Sequence, residues 1–434
     1  MFKKSLFSLL AFSLTVLPTG GSLTYANQQK EKILTLQEAL SIATKRNLQI
    51  KAQYSKYESD KYKFYSQIGE RFGQITLFWK YTQYKFPRTV APIQPPLLPG
   101  NLPVDDQVRV YGFQYSVRLF DGCQQFFLIK AKKYQADTSY ARLIKTTKDI
   151  QQRVKEVYLK ALSLKAQIQA MEEKQKATRQ LYKTIYEAYK VGKKPLLDLL
   201  NVKAELKNIE AKIAQLKSQL SSKKHLLATL LNLKSDKFRL KDVKITPKPL
   251  DSEKLLSQLI ANNPDLRVIS EQKKVAQAYE KAALAEFAPK IDFVYTRQRY
   301  VYAGQSTSDW FYALQASLPI FDFGKRFFDY KSARALKRQV NYLQQQTVKS
   351  VMENYKSLIE LLSAQYEIIN ASRARVEFTK EAYQIEKNKY RLGKTDIYNL
   401  LEAQALYFSA LAQYRANIYE WGILKAKLDY LLGK

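Results

Sequence analysis

The sequence predicts a mostly α-helical chain with a small membrane-type β part, built by tandem duplication of one unit. Three observations carry this. First, short segments recur at one offset: Val191-Gly192-Lys193 returns as Leu392-Gly393-Lys394, and Phe120-Asp121 as Phe321-Asp322, each 201 residues on (393 − 192; 322 − 121). Leu199-Leu200 and Leu230-Leu231 recur likewise as Leu400-Leu401 and Leu431-Leu432. Second, each unit contains a pair of stretches with period-two, aromatic-rich alternation. Third, no Pro or Gly interrupts Cys123 to Tyr189 or Lys325 to Tyr390. At about 1.5 Å per residue, each would form a helix about 100 Å long.

The chain opens like a secretory signal, residues 1–26. Lys3 and Lys4 precede an apolar run from Leu6 to Leu17, and Leu23-Thr24-Tyr25-Ala26 ends in a small residue suited to cleavage. The run is too short for a membrane anchor, and Pro18 with Gly20-Gly21 closes it. No cysteine follows directly, so no lipid-anchored N-terminus is expected. Nothing later approaches 18 consecutive apolar residues, so no transmembrane helix is predicted. An exported chain of this kind is soluble in a periplasm, secreted, or held in an outer membrane by strands, and it points to a double-membraned bacterium.

The first unit is assigned to 27–240 and the second to 241–434, each reading helix, strand, loop, strand, long helix, turn, returning helix. Ser41 to Asn47 matches Ser257 to Asn263 at an offset of 216 (263 − 47), 15 more than elsewhere. The surplus falls in a Pro-rich loop, Phe86 to Pro103, opposite a shorter stretch near Ala303 to Asp309. In the first pair of strands Ile75, Leu77, Trp79 and Tyr81 oppose Gln74, Thr76, Lys80 and Thr82. Tyr111, Phe113, Tyr115, Val117 and Leu119 likewise oppose Gly112, Gln114, Ser116 and Arg118. The second pair sets Ile291, Phe293 and Tyr295 against Lys290, Asp292 and Thr296, and Trp310, Tyr312, Leu314 and Leu318 against Gln315 and Ser317. Strands of about ten residues with one apolar and one polar face suit a tilted membrane strand between lipid and a wet lumen. The competing reading is hairpins packed on a soluble core. The long helices carry sustained apolar stripes, Leu143 to Ile168 and Val348 to Tyr366, which require partner helices. Leu196–Leu231 and Ile397–Leu432 fold back to supply them after short turns.

Composition excludes several classes. Cys123 is the sole cysteine and His225 the sole histidine, so there is no disulfide framework or structural zinc site. Cys123 reads as a small buried hydrophobe and His225 as an ordinary packed or surface residue. No nucleotide loop, metal cluster or nucleophile–base set is present, so neither an enzyme nor a cofactor is expected. The net charge of +33 suggests nucleic acid, but export and the even spread of Lys and Arg argue against it. A solvated helical surface is the simpler account, with a basic tunnel or attraction to anionic lipopolysaccharide as its consequence.

Four membrane strands cannot close a barrel, and an open edge in lipid leaves unpaired N–H and C=O groups at several kcal/mol each. The chain therefore has to oligomerise. Two copies give eight strands and three give twelve; the physics does not choose between them.

Four motifs, beginning at Leu34, Asn262, Leu318 and Tyr390 and spread in order over both units, together resemble the outer-membrane efflux protein family. Leu34-Thr35-Leu36-Gln37-Glu38-Ala39-Leu40 with Asn47 resembles its opening segment, and Asn262-Asn263-Pro264 the second occurrence. Leu318-Pro319-Ile320-Phe321-Asp322-Phe323-Gly324 resembles its strand-to-helix junction. Tyr390-Arg391-Leu392-Gly393 with Leu400-Leu401-Glu402-Ala403-Gln404 resembles its main signature. The resemblance implies a homotrimer: a twelve-stranded barrel in outer-membrane lipid, above a helical barrel reaching into the periplasm. It also implies docking to a periplasmic adaptor and an inner-membrane transporter, as an exit duct for efflux or type I secretion. The alternatives are a periplasmic adaptor or a coiled-coil scaffold without a pore, neither of which accounts for duplicated aromatic hairpins.

Candidate functional residues follow. Asp121 and Asp322 precede the long helices and are placed to cap their free N–H groups, with Gly122 and Gly324 allowing the bend. Gly192 and Gly393 end the long helices. By resemblance these turns form the tip that meets the adaptor: Val191, Gly192, Lys193, Leu392, Gly393 and Lys394. The resemblance also places a periplasmic gate at Asp198, Tyr390, Thr395, Asn399 and Glu402, with Asp198 accepting from Tyr390 and Asn399 and Glu402 lining the constriction. The chain departs from the family here. Thr395 stands where a gate-linking Arg is expected and Asn399 where an Asp is, with Lys394 as a substitute cation.

Overall fold

The computed structural model describes residues 32–96, 102–249 and 252–434. The expected signal segment 1–26 lies outside the described residues. In chain order the elements are β1 (Lys32–Leu34), α1 (Leu36–Arg46), α2 (Leu48–Glu70), β2 (Gln74–Thr89), β3 (Val104–Phe120), α3 (Gln124–Lys190) and α4 (Leu196–Leu230). Then follow β4 (Phe238–Leu240), α5 (Ser252–Asn262), α6 (Pro264–Ala285), β5 (Lys290–Tyr302), β6 (Gln305–Ser317), α7 (Lys325–Arg391) and α8 (Ile397–Leu431). The internal repeat is explicit in the helices: α3 and α7 each have 67 residues, and α4 and α8 each have 35.

Side-by-side order is the same at both ends of the molecule. The main sheet runs β2-β3-β5-β6, entirely antiparallel. Each strand continues into a helix, and those helices pack in the matching order α2, α3, α6, α7. Farther from the sheet α4 and α8 take over: α4 packs on α3, and α8 lies between α3 and α7. No helix among the described residues is long and apolar enough to cross a membrane.

The handover between the two helical layers uses one device twice. Asn47 is buried, 6 % exposed; its Oδ1 accepts from the N–H groups of Gln49 and Ile50, and its Nδ2 donates to the Leu230 carbonyl at 2.9 Å. One side chain thus caps the start of α2 and takes up a free carbonyl at the end of α4, splicing them end to end. Asn263, 1 % exposed, does the same for α6 and α8 through Asp265, Leu266 and the Leu431 carbonyl at 3.0 Å. Each opening helix of the sequence reading is therefore two helices. Asn47 also ends α1, and Pro264 sits at the first position of α6, where its missing N–H costs nothing.

Around these splices lies the core. One cluster gathers Leu34, Ile150, Val154, Tyr158, Leu162, Leu227 and Leu231; a second gathers Leu259, Tyr355, Leu362, Trp421 and Leu428. A short parallel pair, β1 with β4, brackets the first cluster. Tyr158 is fully buried, its hydroxyl 2.8 Å from the Leu34 carbonyl and 2.7 Å from that of Lys241. It shares its one proton between them, and burial pushes the hydroxyl pKa up to about 12.

The strands are longer than the ten residues expected, at 16, 17, 13 and 13. β2 runs through Phe86 and Pro87 to Thr89, with a register irregularity between Gln83 and Arg88 that absorbs the missing proline N–H. The Pro-rich loop is correspondingly shorter. In the second pair the connection is only Ala303-Gly304, both left-handed (φ 42° and 74°), a tight hairpin turn rather than a loop to Asp309. At this end the sheet's polar face turns apolar, where Val90, Ala91, Val108 and Tyr302 cluster.

Candidate functional site

The predicted alternation places Ile75, Tyr115, Tyr295 and Tyr312 in one row and Val117, Phe293 and Leu314 in the next. This face is bare: Leu77 is 83 % exposed, Trp79 68 % and Leu314 67 %. Such a continuous apolar surface is incompatible with water, which removes the soluble-hairpin reading. On the other face Gln114, Thr296 and Phe311 align, and Arg118 pairs with Asp292 at 2.9 Å. β2 and β6 are the edges of the sheet, each paired on one side only among the described residues.

At the junction with the helices, the capping aspartates act from two residues outside the cap. Asp121 Oδ2 accepts from Gln125 N at 2.9 Å, and Asp322 Oδ2 from Arg326 N at 3.2 Å and from its Nε at 2.6 Å. Two consecutive left-handed residues make each bend: Gly122 and Cys123 (φ 64° and 69°) in the first unit, Phe323 and Gly324 (52° and 85°) in the second. Gly122 and Gly324 are therefore not equivalent positions. Each unit has its glycine at a different one of the two. Gly122 is also tightly enclosed, since a Cβ there would lie 2.2 Å from that of Ala288. Cys123, expected to be buried, is exposed because it occupies this bend. His225 is exposed, its Nδ1 3.1 Å from an Asp236 carboxylate oxygen.

At the opposite end, α3 and α7 both close with a Schellman turn. Lys193 N donates to the Ala188 carbonyl at 2.8 Å and Gly192 N to that of Tyr189; Lys394 N and Gly393 N repeat this with Lys389 and Tyr390. Gly192 and Gly393 are left-handed (φ 72° and 73°), and nothing lies within 4 Å of an added Cβ at either. Val191 and Leu392 beside them are about two-thirds exposed, at 67 % and 64 %. Lys193 and Lys394 are exposed as well.

Just above the tip, Tyr390 in the last turn of α7 donates to Asp198 Oδ2, in the first turn of α4, at 2.9 Å. Tyr390 is 6 % exposed, and burial, reinforced by the Asp198 carboxylate, pushes its hydroxyl far above the ordinary tyrosine range. It stays a neutral donor at any physiological pH. The cation at this link is Lys194, whose Nζ lies 3.9 Å from the Tyr390 ring centre, and not Lys394. Lys194 is the first-unit counterpart of Thr395, so the cation beside this link comes from the other unit. Thr395 is tied to Asn399, whose Nδ2 donates to its Oγ1 at 3.2 Å, while Asp396 caps α8 through Asn399 N. Glu402 is exposed, one turn on.

Sequence reasoning missed a polar bridge behind this link. Gln404 is buried, with Thr178 Oγ1 3.0 Å from its Oε1, while its Nε2 donates to Tyr383 Oη at 3.3 Å. It joins α3, α7 and α8. Its place in the Leu400-to-Gln404 motif was the available signal. A cavity of about 930 Å³ opens here between α3 and α7, lined by Ile185, Lys193, Lys194, Tyr390, Arg391 and Leu400.

A bare apolar sheet face, two open edges and helices continuing every strand define a subunit of a membrane channel that is completed by neighbouring copies. The sequence profile of the outer membrane efflux proteins matches residues 106–233 and 255–434. Among solved structures, VceC, an outer membrane protein of Vibrio cholerae, superposes with a TM-score of 0.78 at 14 % identity, covering 92 % of this chain and 96 % of that one. The CmeC outer membrane channel of Campylobacter jejuni gives 0.74 at 16 %, covering 97 % and 94 %. The MtrE outer membrane channel of Neisseria gonorrhoeae, in its open state, gives 0.75 at 18 %, covering 92 % and 88 %. No curated protein matches in sequence. The chain belongs to the outer membrane efflux protein family. It is an outer-membrane channel component for efflux, reaching into the periplasm, and not an enzyme.

Proposed function

We propose that three copies close a twelve-stranded barrel over a helical tunnel, and that the tunnel docks a periplasmic adaptor and an inner-membrane transporter to form a continuous exit duct. The observation that carries this is the matched order of strands and helices around two open sheet edges. Repeating four strands and four helices around an axis makes both walls of one tube. The two Schellman turns, with their exposed Val191, Lys193, Leu392 and Lys394, form the docking surface for the adaptor. Asp121, Gly122, Asp322 and Gly324 set the angle at which barrel meets tunnel.

The gate in this reading is the Asp198–Tyr390 link, backed by Lys194, with Thr395, Asn399 and Glu402 at the constriction of each subunit. Three Glu402 carboxylates around the axis attract cations, and the Asp198 links hold the helix ends inward. Tyr390→Phe removes only the donor. A hydrogen bond to a charged acceptor is worth about 1.5–3 kcal/mol, so three lost links favour the open form strongly. In planar bilayers the variant is expected to conduct several times the wild-type current. Unchanged conductance would remove the link from the gate.

A further inference from the structure

We propose that the outer end of the sheet's apolar face binds the phosphate groups of the anionic glycolipid of the outer leaflet, through Arg109, Arg297 and Arg299. The proposal rests on the outer-membrane reading. The register fixes the placement. Arg109 pairs with Val301, Arg299 with Tyr111, and Arg297 with Phe113 and Trp310, so all three share the face that carries Leu77 and Trp79. They lie toward the end of the strands away from the helices, hence toward the cell exterior. Arg297 and Arg299 are two residues apart on β5, about 7 Å, and Arg109 is the diagonal neighbour of Arg299, at about 7–8 Å. Three guanidinium groups can thus converge on one or two phosphates.

The apolar run ends strand by strand in this region, though not in one row, since Arg297 still pairs with Phe113 and Trp310. On β3 the apolar run from Leu119 up to Tyr111 gives way to Arg109, on β5 the run from Ile291 to Tyr295 gives way to Arg297, and on β6 Trp310 gives way to Ser308. A charged side chain on the lipid face is costly at the bilayer centre and nearly free at the interface, and flanking Trp and Tyr mark that interface. All three arginines are exposed. Arg299 donates only to Ser306 Oγ, at 2.7 Å, and no carboxylate among the described residues pairs with any of them. Asp105, the one carboxylate at this end of the face among the described residues, is committed to the Ala303 N–H and to its own neighbours. Like charges on adjacent strand positions repel unless an anion lies between them. The planar guanidinium fork takes phosphate oxygens in pairs, which suits the phosphates of an outer-leaflet glycolipid.

The test uses the detergent-purified, delipidated protein in its assembled form, titrated with bisphosphorylated lipid A and with the same lipid stripped of phosphate, bound lipids being counted by native mass spectrometry. The assembled wild type is expected to retain the phosphorylated form only. In R109Q/R297Q/R299Q affinity is expected to fall about 100-fold, near fivefold for each arginine. Millimolar inorganic phosphate should not compete; competition would make this a free-anion site and overturn the lipid assignment. Equal retention by the triple variant, or of phosphate-free lipid by the wild type, would also overturn it. Should the glutamine variant fail to assemble, R109K/R297K/R299K keeps the charge and loses the fork, and binding at wild-type strength would then refute the proposal. A wild type found outside the membrane would instead refute the channel reading.

Discussion

Gly393→Val is expected to abolish efflux while the assembled protein stays in the outer membrane. Gly393 is left-handed at φ 73° and closes α7 through two backbone hydrogen bonds. A β-branched residue resists that conformation by about 1–2 kcal/mol, too little to unfold two 67-residue helices but enough to redirect a two-residue reversal. An added Cβ meets nothing within 4 Å inside the chain, so any steric effect falls on the partner proposed to dock there. Weakening docking by even 1.4 kcal/mol is about tenfold in affinity, and the same reasoning covers Gly192→Val. Drug or metal tolerance of cells carrying each variant, beside adaptor crosslinking, reads this out. Gly393→Asn separates the causes, because Asn tolerates the left-handed region. Loss in Val but not Asn assigns the effect to backbone shape, and loss in both to the bare surface. Unchanged efflux in both would remove the turns from the docking surface.

Asn47→Ala is expected to lower the thermal stability of the assembly sharply, and Asn263→Ala likewise. Each removes a helix cap worth about 1 kcal/mol and strands a buried carbonyl, that of Leu230 or Leu431, at about 1–3 kcal/mol. A total near 2–4 kcal/mol per site, multiplied over the copies in an oligomer, shifts the temperature at which the assembly dissociates on a gel. Asn47→Asp keeps the acceptor for Gln49 and Ile50 but turns the donor toward Leu230 into a second acceptor. It is expected to fall between wild type and alanine. A dissociation temperature unmoved by Asn47→Ala would show that the splice does not hold the two helical layers together.

The long elements were legible in the sequence because their signals are long. The Pro- and Gly-free runs place α3 and α7 within a residue of their observed ends, and the paired glycines mark both reversals. Strand faces followed from period-two alternation, which a one-residue slip would have inverted. What escaped has short or long-range causes. β1 and β4 have three residues each and pair across some two hundred positions, so neither carries a pattern of its own. The break at Asn47 has no proline to announce it; Asn263-Pro264 in the second unit carries the signal of a cap and a helix start, but the sequence reading gives it only as a family resemblance. Pro87 read as loop because a proline inside a strand is tolerated only at an edge or an irregularity, and β2 offers both. Within the proposed gate, Tyr390 and Asp198 were placed by motif. Lys194 was passed over for Lys394 because the compensation crosses between units, from α3's turn to α7's last turn.

Electron microscopy of the protein extracted from outer membranes, with three-dimensional averaging, tests the central claim most directly. The account predicts a hollow threefold particle with a short membrane barrel above a tunnel about 100 Å long, the length of 67 helical residues at 1.5 Å each. A solid monomeric rod, or a ring of any other symmetry, would contradict it.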